Sequence, residues 1–247
     1  MNPYREAFYQ RQAEWHGYTG VDDVKQRHEQ RALYYRWFTK DWLDVPPSTP
    51  VLDIACGSGQ FLYFLRKKGF TDLVGVDLDR TQVGIGQALG LDCRCETIQD
   101  FLAEGTKPFG VVAMLDILEH FTREELFPVM EAVAARMAPG GRLIVSVPNA
   151  DSPHGLRSTY ADITHEISFT PTSLSELMFC HGLKVVAFRD PWPAPVSPAR
   201  AAYRALCRGT RKLESLRQKL LGFEAPQYWS SVIWAMAEKP RGSSPPT

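Results

Sequence analysis

No run of about 18 consecutive apolar residues occurs in this chain, and the opening MNPYREAFYQRQAEWHG has no apolar h-region, so neither a membrane-spanning helix nor a secretory leader is expected. Surplus charge is missing too. Lys plus Arg and Asp plus Glu stand at 28 each, and without a cationic excess to neutralise phosphates the chain is not expected to be a dedicated nucleic-acid binder. Its five cysteines, Cys56, Cys93, Cys95, Cys180 and Cys207, form no CxxC pair and no metal-type spacing with histidine. That argues against a disulfide or zinc framework and fits a reducing cytoplasm. There is no internal repeat, and low complexity is confined to the tail RGSSPPT at 241–247, which is expected to be disordered. What is present is an ordinary globular composition, 44% apolar and 23% charged, in a length of 247 residues that one α/β domain with additions can fill.

From residue 51 onward, short apolar runs alternate with helical patterns. VLDIA (51–55), DLVGVD (72–77), FGVVAML (109–115) and RLIVSVP (142–148) read as buried strands, with 91–95 a further candidate whose Cys93 and Cys95 serve as small buried hydrophobes. Helices are predicted over 60–68, 80–89 and 123–137, the last carrying Leu126, Phe127, Met130, Val133 and Met137 at helical spacing until Pro139-Gly140-Gly141 ends it. Gly84 and Gly86 each cost the second helix about 1 kcal/mol, so tertiary packing must hold it. After a long loop at 149–168, Thr170 or Pro171 starts a helix to about Cys180; LKVVAFRD and finally SSVIWAMAE supply strands. Such alternation predicts an α/β fold, a doubly wound sheet with right-handed crossovers. Residues 1–50, with aromatic residues at 34, 35, 37, 38 and 42, read as a helical cap over the ligand end of the sheet. Residues 191–230, opening with PWPAPVSP, read as a helical insertion in a main domain that runs from 51 to 240.

In VLDIACGSG (51–59) an apolar strand runs into Gly57 and Gly59, whose missing side chains permit a tight turn and close approach of backbone to a ligand. The free N–H groups of the following helix favour a carboxylate there. Asp77 closes the next strand, where a carboxylate can accept hydrogen bonds from ribose hydroxyls. Together they indicate a nucleoside ligand. A nicotinamide dinucleotide would require a third glycine for close helix–strand packing, and Leu62 stands at that position. Asp53 would also repel a pyrophosphate. It suits the amino-acid end of a sulfonium cofactor.

At this point the chain resembles class I S-adenosylmethionine-dependent methyltransferases, through DIACGSG, Asp77, LDILEHF and MAPGGRLIVSVPN in order across roughly residues 50–190. The resemblance implies a Rossmann-like seven-stranded, mostly parallel sheet with an antiparallel last strand, and S-adenosylmethionine as cofactor. Carried over by position, Asp53, Ala55, Gly57 and Gly59 hold the methionine part, Asp77 holds the ribose and Leu78 covers the adenine. Thr97 and Ile98 fall where the adenine amino group is contacted, and Cys56 and Leu115 complete the cofactor lining.

Methyl transfer is an in-line displacement at an activated carbon, so a hydroxyl acceptor chiefly needs alignment and a base. His165, in YADITHEISFT, is the first candidate base; the alternative is a histidine that fixes loop geometry through its second nitrogen. Asp116, Glu119 and His120 form a second constellation at i, i+3 and i+4, which on a helix would share one face. It is similar to the motif of ubiquinone-pathway O-methyltransferases, where the resemblance implies a divalent cation such as Mg²⁺; helix capping is the alternative, and His120 is also a candidate catalytic residue. The loop with His165 and the insertion resemble sugar and polysaccharide methyltransferases of bacterial glycan assembly. The expected acceptor is therefore a sugar hydroxyl of a glycan or glycolipid, with a phenolic or quinone-precursor molecule as the alternative and a non-catalytic cofactor-binding regulatory module as a reading of another class. Ala199 to Leu221 carries seven Arg and Lys against Glu214 alone, with Leu213, Leu216 and Leu220 as an apolar stripe interrupted at Gly209-Thr210. It reads as a basic amphipathic helix for an anionic membrane at its inner face, an anionic substrate, or solvent.

Overall fold

The computed structural model describes residues 3–242. Residues 243–247 of the expected disordered tail lie outside them. Three helices open the chain, α1 (Pro3–Tyr9), α2 (Gln12–Trp15) and α3 (Val21–Phe38). Strands and helices then alternate: β1 (Val51–Ile54), α4 (Gln60–Lys67), β2 (Leu73–Asp77), α5 (Arg80–Ala88), β3 (Cys93–Cys95), α6 (Ile98–Glu104), β4 (Phe109–Leu115), α7 (Arg123–Arg136) and β5 (Met137–Pro148). The chain closes with α8 (Gly155–Thr159), α9 (Pro171–Cys180), β6 (Lys184–Arg189), α10 (Pro198–Leu220) and β7 (Val232–Glu238).

The seven strands form one sheet in the order β3-β2-β1-β4-β5-β7-β6. Pairing is parallel except for β7, which runs antiparallel to both β5 and β6. Both faces are buried because alternate side chains of the central strands feed opposite cores. Leu52, Ile54, Val112, Met114 and Leu143 pack with Phe101, Met130 and Leu174 of α6, α7 and α9. Val51, Val111, Ala113 and Ile144 pack on the other face with Tyr35, Phe38, Phe61 and Phe64 of α3 and α4. The strand order reverses direction at β1 and β4, which opens a crevice at their carboxyl ends, the usual ligand position of such sheets.

Several local expectations are corrected. In α3, Phe38 packs against Trp234 at 5.0 Å between ring centroids and Tyr35 against Phe61 at 5.2 Å, while Tyr35, His28 and Arg31 reach toward the ligand end. Helix α7 ends at Arg136, before Pro139-Gly140-Gly141, because Met137 already pairs with Phe109; the Pro-Gly-Gly segment is an irregular entry into β5, with Gly140 N–H donating to Lys239 O at 2.8 Å. Cys93 is buried but Cys95 is exposed, at the end of a three-residue edge strand. Helix α10 passes through Gly209-Thr210 unbroken, with the Thr210 hydroxyl donating to Cys207 O at 2.9 Å. Helices α6 and α8 were not expected. The first has a readable cap, Thr97 accepting from Asp100 N–H at 3.0 Å.

The missing third glycine has a counterpart on the strand side. A Cβ at Gly75 of β2 would stand 2.8 Å from Leu62 Cδ1 and 2.7 Å from Cys56 Cβ, so the room that Leu62 takes is given by Gly75. The two glycines of α5 differ in the same way. A Cβ at Gly86 would lie 2.7 Å from Cys93 Sγ and 3.2 Å from Ser58 O, whereas one at Gly84 meets nothing within 4 Å. Gly86→Ala should therefore lower stability by about 1–3 kcal/mol through overpacking, while Gly84→Ala should raise it by about 0.5–1 kcal/mol through helix propensity. Thermal unfolding of the two variants checks the opposed signs.

Candidate active site

The crevice is lined first by the turn from β1 into α4. Ala55, Gly57 and Gly59 hold φ angles of 58°, 54° and 75°, and Asp116, directly after β4, holds 54°. Ala55 and Asp116 are non-glycine residues in a conformation that costs free energy, and they stand at the carboxyl ends of the two strands that flank the reversal of strand order. Gly59 cannot be replaced cheaply, since a Cβ there would also fall 2.5 Å from Leu91 Cδ1.

Three carboxylates surround this turn. Asp53 is 2% exposed, and burial followed by the nearby Asp77 charge pushes its pKa well above the usual carboxylate range. Asp77 is raised by burial, against hydrogen bonds that its carboxylate accepts from Gly57 N–H (2.7 Å) and Asp79 N–H (2.8 Å). Asp116 is exposed in the crevice, and Ser146 donates its hydroxyl to Oδ1 at 2.7 Å. Such a site favours a cation. Leu78, exposed beside Asp77, Thr97 at the cap of α6, half-buried Ile98 and Leu115, and Asp53, Ala55, Gly57 and Gly59 all stand at or next to strand ends on this edge. Cys56 is the exception among the expected lining residues: it is buried and packs its thiol toward Gly75, inside the fold.

Two residues of α3 escaped the sequence reading. His28 is fully buried, with Nε2–H donating to Ser58 O at 3.0 Å, so it clamps α3 onto the glycine turn; burial pushes its pKa down to about 4. Arg31 lies over the rings of Tyr35 and Phe38 at 5.6 and 5.8 Å, and its charge favours the ionised form of Asp116. Its Nε is buried without a partner. Neither residue belongs to a motif, and a lone histidine or arginine in a polar helix gives no local signal.

A second group lies on the side of β4 and the 149–168 loop. Asp116, Glu119 and His120 do not share a helical face as expected, because the chain turns at Asp116 with positive φ and then makes only a short 3-10 turn, Leu118–His120. Asp116 bonds Ser146, and His165 takes its place: donor atoms of Glu119, His120 and His165 lie within 4.8 Å of one another. The loop is held there by Glu166 N–H and Ile167 N–H, which donate to Glu119 O at 2.8 and 3.2 Å.

Partners fix the proton positions of both imidazoles. A carbonyl only accepts, so the 3.0 Å contact of His165 Nδ1 with Thr159 O places the proton on Nδ1 and a lone pair on Nε2. Thr164 gives its one hydroxyl proton to Asp162 Oδ1 at 2.6 Å, so its oxygen accepts from His120 Nδ1–H at 2.8 Å. His120 thus also keeps its lone pair on Nε2. Its ring meets His165 edge to face at 4.7 Å between centroids, and burial, then the His165 charge, lowers its pKa to about 4. Glu119, 2% exposed, is pushed well up by burial and by Asp116, and its Oε2 has no partner. The arrangement can take a proton from a hydroxyl at His165 while His120 stays neutral.

Residues 26–187 match the family model described as "Methyltransferase domain". Among curated proteins, the chain is similar to the ubiquinone biosynthesis O-methyltransferase of Xylella fastidiosa (strain 9a5c), 33% identical over 105 residues, and to that of Caulobacter sp. (strain K31), 32% identical over 105 residues. These matches take in 40% of this chain and only 42% and 40% of the relatives' lengths. Among solved structures, a SAM-dependent methyltransferase from Archaeoglobus fulgidus superposes with TM-score 0.59 at 20% identity, covering 87% of this chain and 94% of that one. Magnesium protoporphyrin IX methyltransferase from Synechocystis PCC 6803 superposes with TM-score 0.52 at 15% identity, covering 90% and 84%. The chain therefore belongs to the methyltransferase-domain family, on the Rossmann-like fold shared with S-adenosylmethionine-dependent methyltransferases.

Proposed function

We propose that this methyltransferase uses S-adenosylmethionine to methylate a hydroxyl oxygen, with His165 as the proton acceptor. The observation that carries the reading is the Nε2 lone pair of His165, set by the Thr159 carbonyl, beside a crevice lined by the acidic side chains of Asp53, Asp77 and Asp116. Asp53 would face the cationic methionine end of the cofactor, Asp77 would bind the ribose hydroxyls, and Arg31 would take the methionine carboxylate. Leu78, Thr97, Ile98 and Leu115 border the adenosine. When bound, S-adenosylmethionine would supply a methyl group activated by its sulfonium, and His165 Nε2 would take the proton of the acceptor hydroxyl.

The acceptor we infer is a sugar hydroxyl carried on a glycan or glycolipid. Leu156, Tyr160 and Ile163, exposed by 73%, 84% in the last case and 81% for the tyrosine, give the loop that holds His165 an apolar rim suited to an amphiphilic acceptor. A phenolic or quinone-precursor acceptor is the second reading, favoured by the likeness to ubiquinone biosynthesis O-methyltransferases. Release of S-adenosylhomocysteine with glycolipid and phenol panels separates the two; cofactor binding without release on either panel would instead indicate a non-catalytic module.

A Mg²⁺ ion on Asp116, Glu119 and His120 does not fit, since Asp116 is engaged by Ser146 and stands outside the cluster. The donors that do converge, one carboxylate and two imidazole nitrogens, are not the oxygen set that Mg²⁺ prefers. Activity is therefore expected to survive EDTA and to gain nothing from added Mg²⁺; loss on chelation with recovery on Mg²⁺ would reverse this. Replacing His165 by Ala should lower kcat by about 10²–10⁴-fold with cofactor affinity nearly unchanged. An unaltered kcat would remove His165 from the mechanism.

A further inference from the structure

Helix α10 has its amphipathic faces reversed. None of its 23 residues is buried. The face turned to the body carries Arg204, Cys207, Arg211, Glu214 and Gln218, all half-buried. It is held by guanidinium groups and not by apolar packing: Arg204 donates to Pro193 O at 2.6 Å and Asp190 O at 3.0 Å, and Arg211 donates to Asp190 Oδ2 at 2.5 Å and Trp192 O at 3.1 Å. The leucines look outward. Leu206, Leu213, Leu216 and Leu220 fall on one stripe at helical spacing, with exposures of 65%, 70%, 55% and 79%, and Phe223 follows just beyond the helix.

An aligned, outward apolar stripe of this kind marks an interaction surface. Its flank identifies the partner. Arg208, Lys212 and Lys219 lie exposed along one side of the stripe and, among the described residues, form no ion pair. The helix's one acid, Glu214, is turned inward and paired with Arg217 at 2.7 Å. A second copy docked on the stripe would bring like charges together. A dissolved anion would have no use for the leucines. An anionic bilayer satisfies both features, because leucines enter the headgroup–acyl boundary while long cationic side chains reach lipid phosphates. The chain has no net charge, so this concentration of cations is local.

We propose that α10 is an interfacial helix that docks the protein on an anionic lipid bilayer through Leu206, Leu213, Leu216, Leu220 and Phe223, with Arg208, Lys212 and Lys219 on the phosphates. Placement connects this surface with the crevice edge. Val232 of β7 pairs with Pro148 at the end of β5, so residues just before β7 lie at the carboxyl edge of the sheet. There α10 borders a cavity of about 600 Å³ through Arg200, Tyr203 and Arg211, with His154 and Ser231 on its other side. Docking would bring lipid-borne acceptors to the edge where methyl transfer is proposed. The docking itself stands apart from that chemistry and is measured without turnover.

The test is co-sedimentation of the full chain with phosphatidylcholine vesicles that contain about 30% phosphatidylserine, against phosphatidylcholine alone. Binding to the anionic vesicles is expected, weakened by salt and at least about tenfold weaker without phosphatidylserine. The double variant Leu213→Glu, Leu216→Glu and the triple variant Arg208→Glu, Lys212→Glu, Lys219→Glu should each lose binding at least about tenfold. Circular dichroism and S-adenosylmethionine affinity should remain those of the native chain, since the replaced side chains are exposed. Failure of the native protein to sediment, or binding that survives both variants, overturns the proposal. So does a stable dimer in light scattering that the leucine variant dissociates.

Discussion

Burial of acid around the β1–β4 crevice is the constraint on which the site depends. Asp53, Asp77 and Asp116 stand at or just beyond the ends of three neighbouring strands; Asp53 is buried, Asp77 half-buried and Asp116 exposed, and burial raises the pKa of Asp53 and Asp77. Carboxylates removed from water are costly unless hydrogen bonds or opposite charge compensate them. Backbone N–H groups partly serve Asp77 and a hydroxyl serves Asp116, but Asp53 gains most from a cationic ligand. A sulfonium cofactor with an ammonium group meets that requirement, and a pyrophosphate would worsen it.

The helices before the sheet tie this anionic crevice to the acceptor side. His28 clamps α3 on Ser58, while α1 reaches across to the histidine pair: Arg5, 4% exposed, bonds Glu125 at 2.7 Å and Glu166 at 2.6 Å, and Tyr9 meets His120 at 5.9 Å between centroids. Burial pushes the Tyr9 phenol up to about 12, so it remains a neutral wall. Glu166 follows His165 directly. The position of His165, the proposed base, is thus coupled to the packing of the first helix through one buried guanidinium.

Much of this was legible in the residues. The alternation of apolar runs predicted the parallel strands, and Asp53, Gly57, Gly59 and Asp77 occur where the crevice forms. Leu62 argues against a dinucleotide from the sequence alone, whereas its companion Gly75 does not show there, because a glycine in a strand signals close packing without naming the neighbour. LDILEHF misled for a physical reason: i, i+3, i+4 spacing brings side chains together only on a helix, and positive φ at Asp116 breaks that geometry. His120 and His165 meet through a loop closed by backbone hydrogen bonds, which spacing cannot reveal. The periodicity of α10 showed a stripe but not which side would face the body; that was decided by carbonyl groups at Asp190, Trp192 and Pro193 waiting for arginine.

Calorimetric titration of the full chain with S-adenosylmethionine tests the central claim most directly. The account predicts saturable binding at one site, no binding of NAD⁺, and loss of at least about tenfold in affinity in Asp77→Ala, which removes the proposed acceptor of the ribose hydrogen bonds. Binding of NAD⁺ in preference, or S-adenosylmethionine affinity indifferent to Asp77, would contradict it.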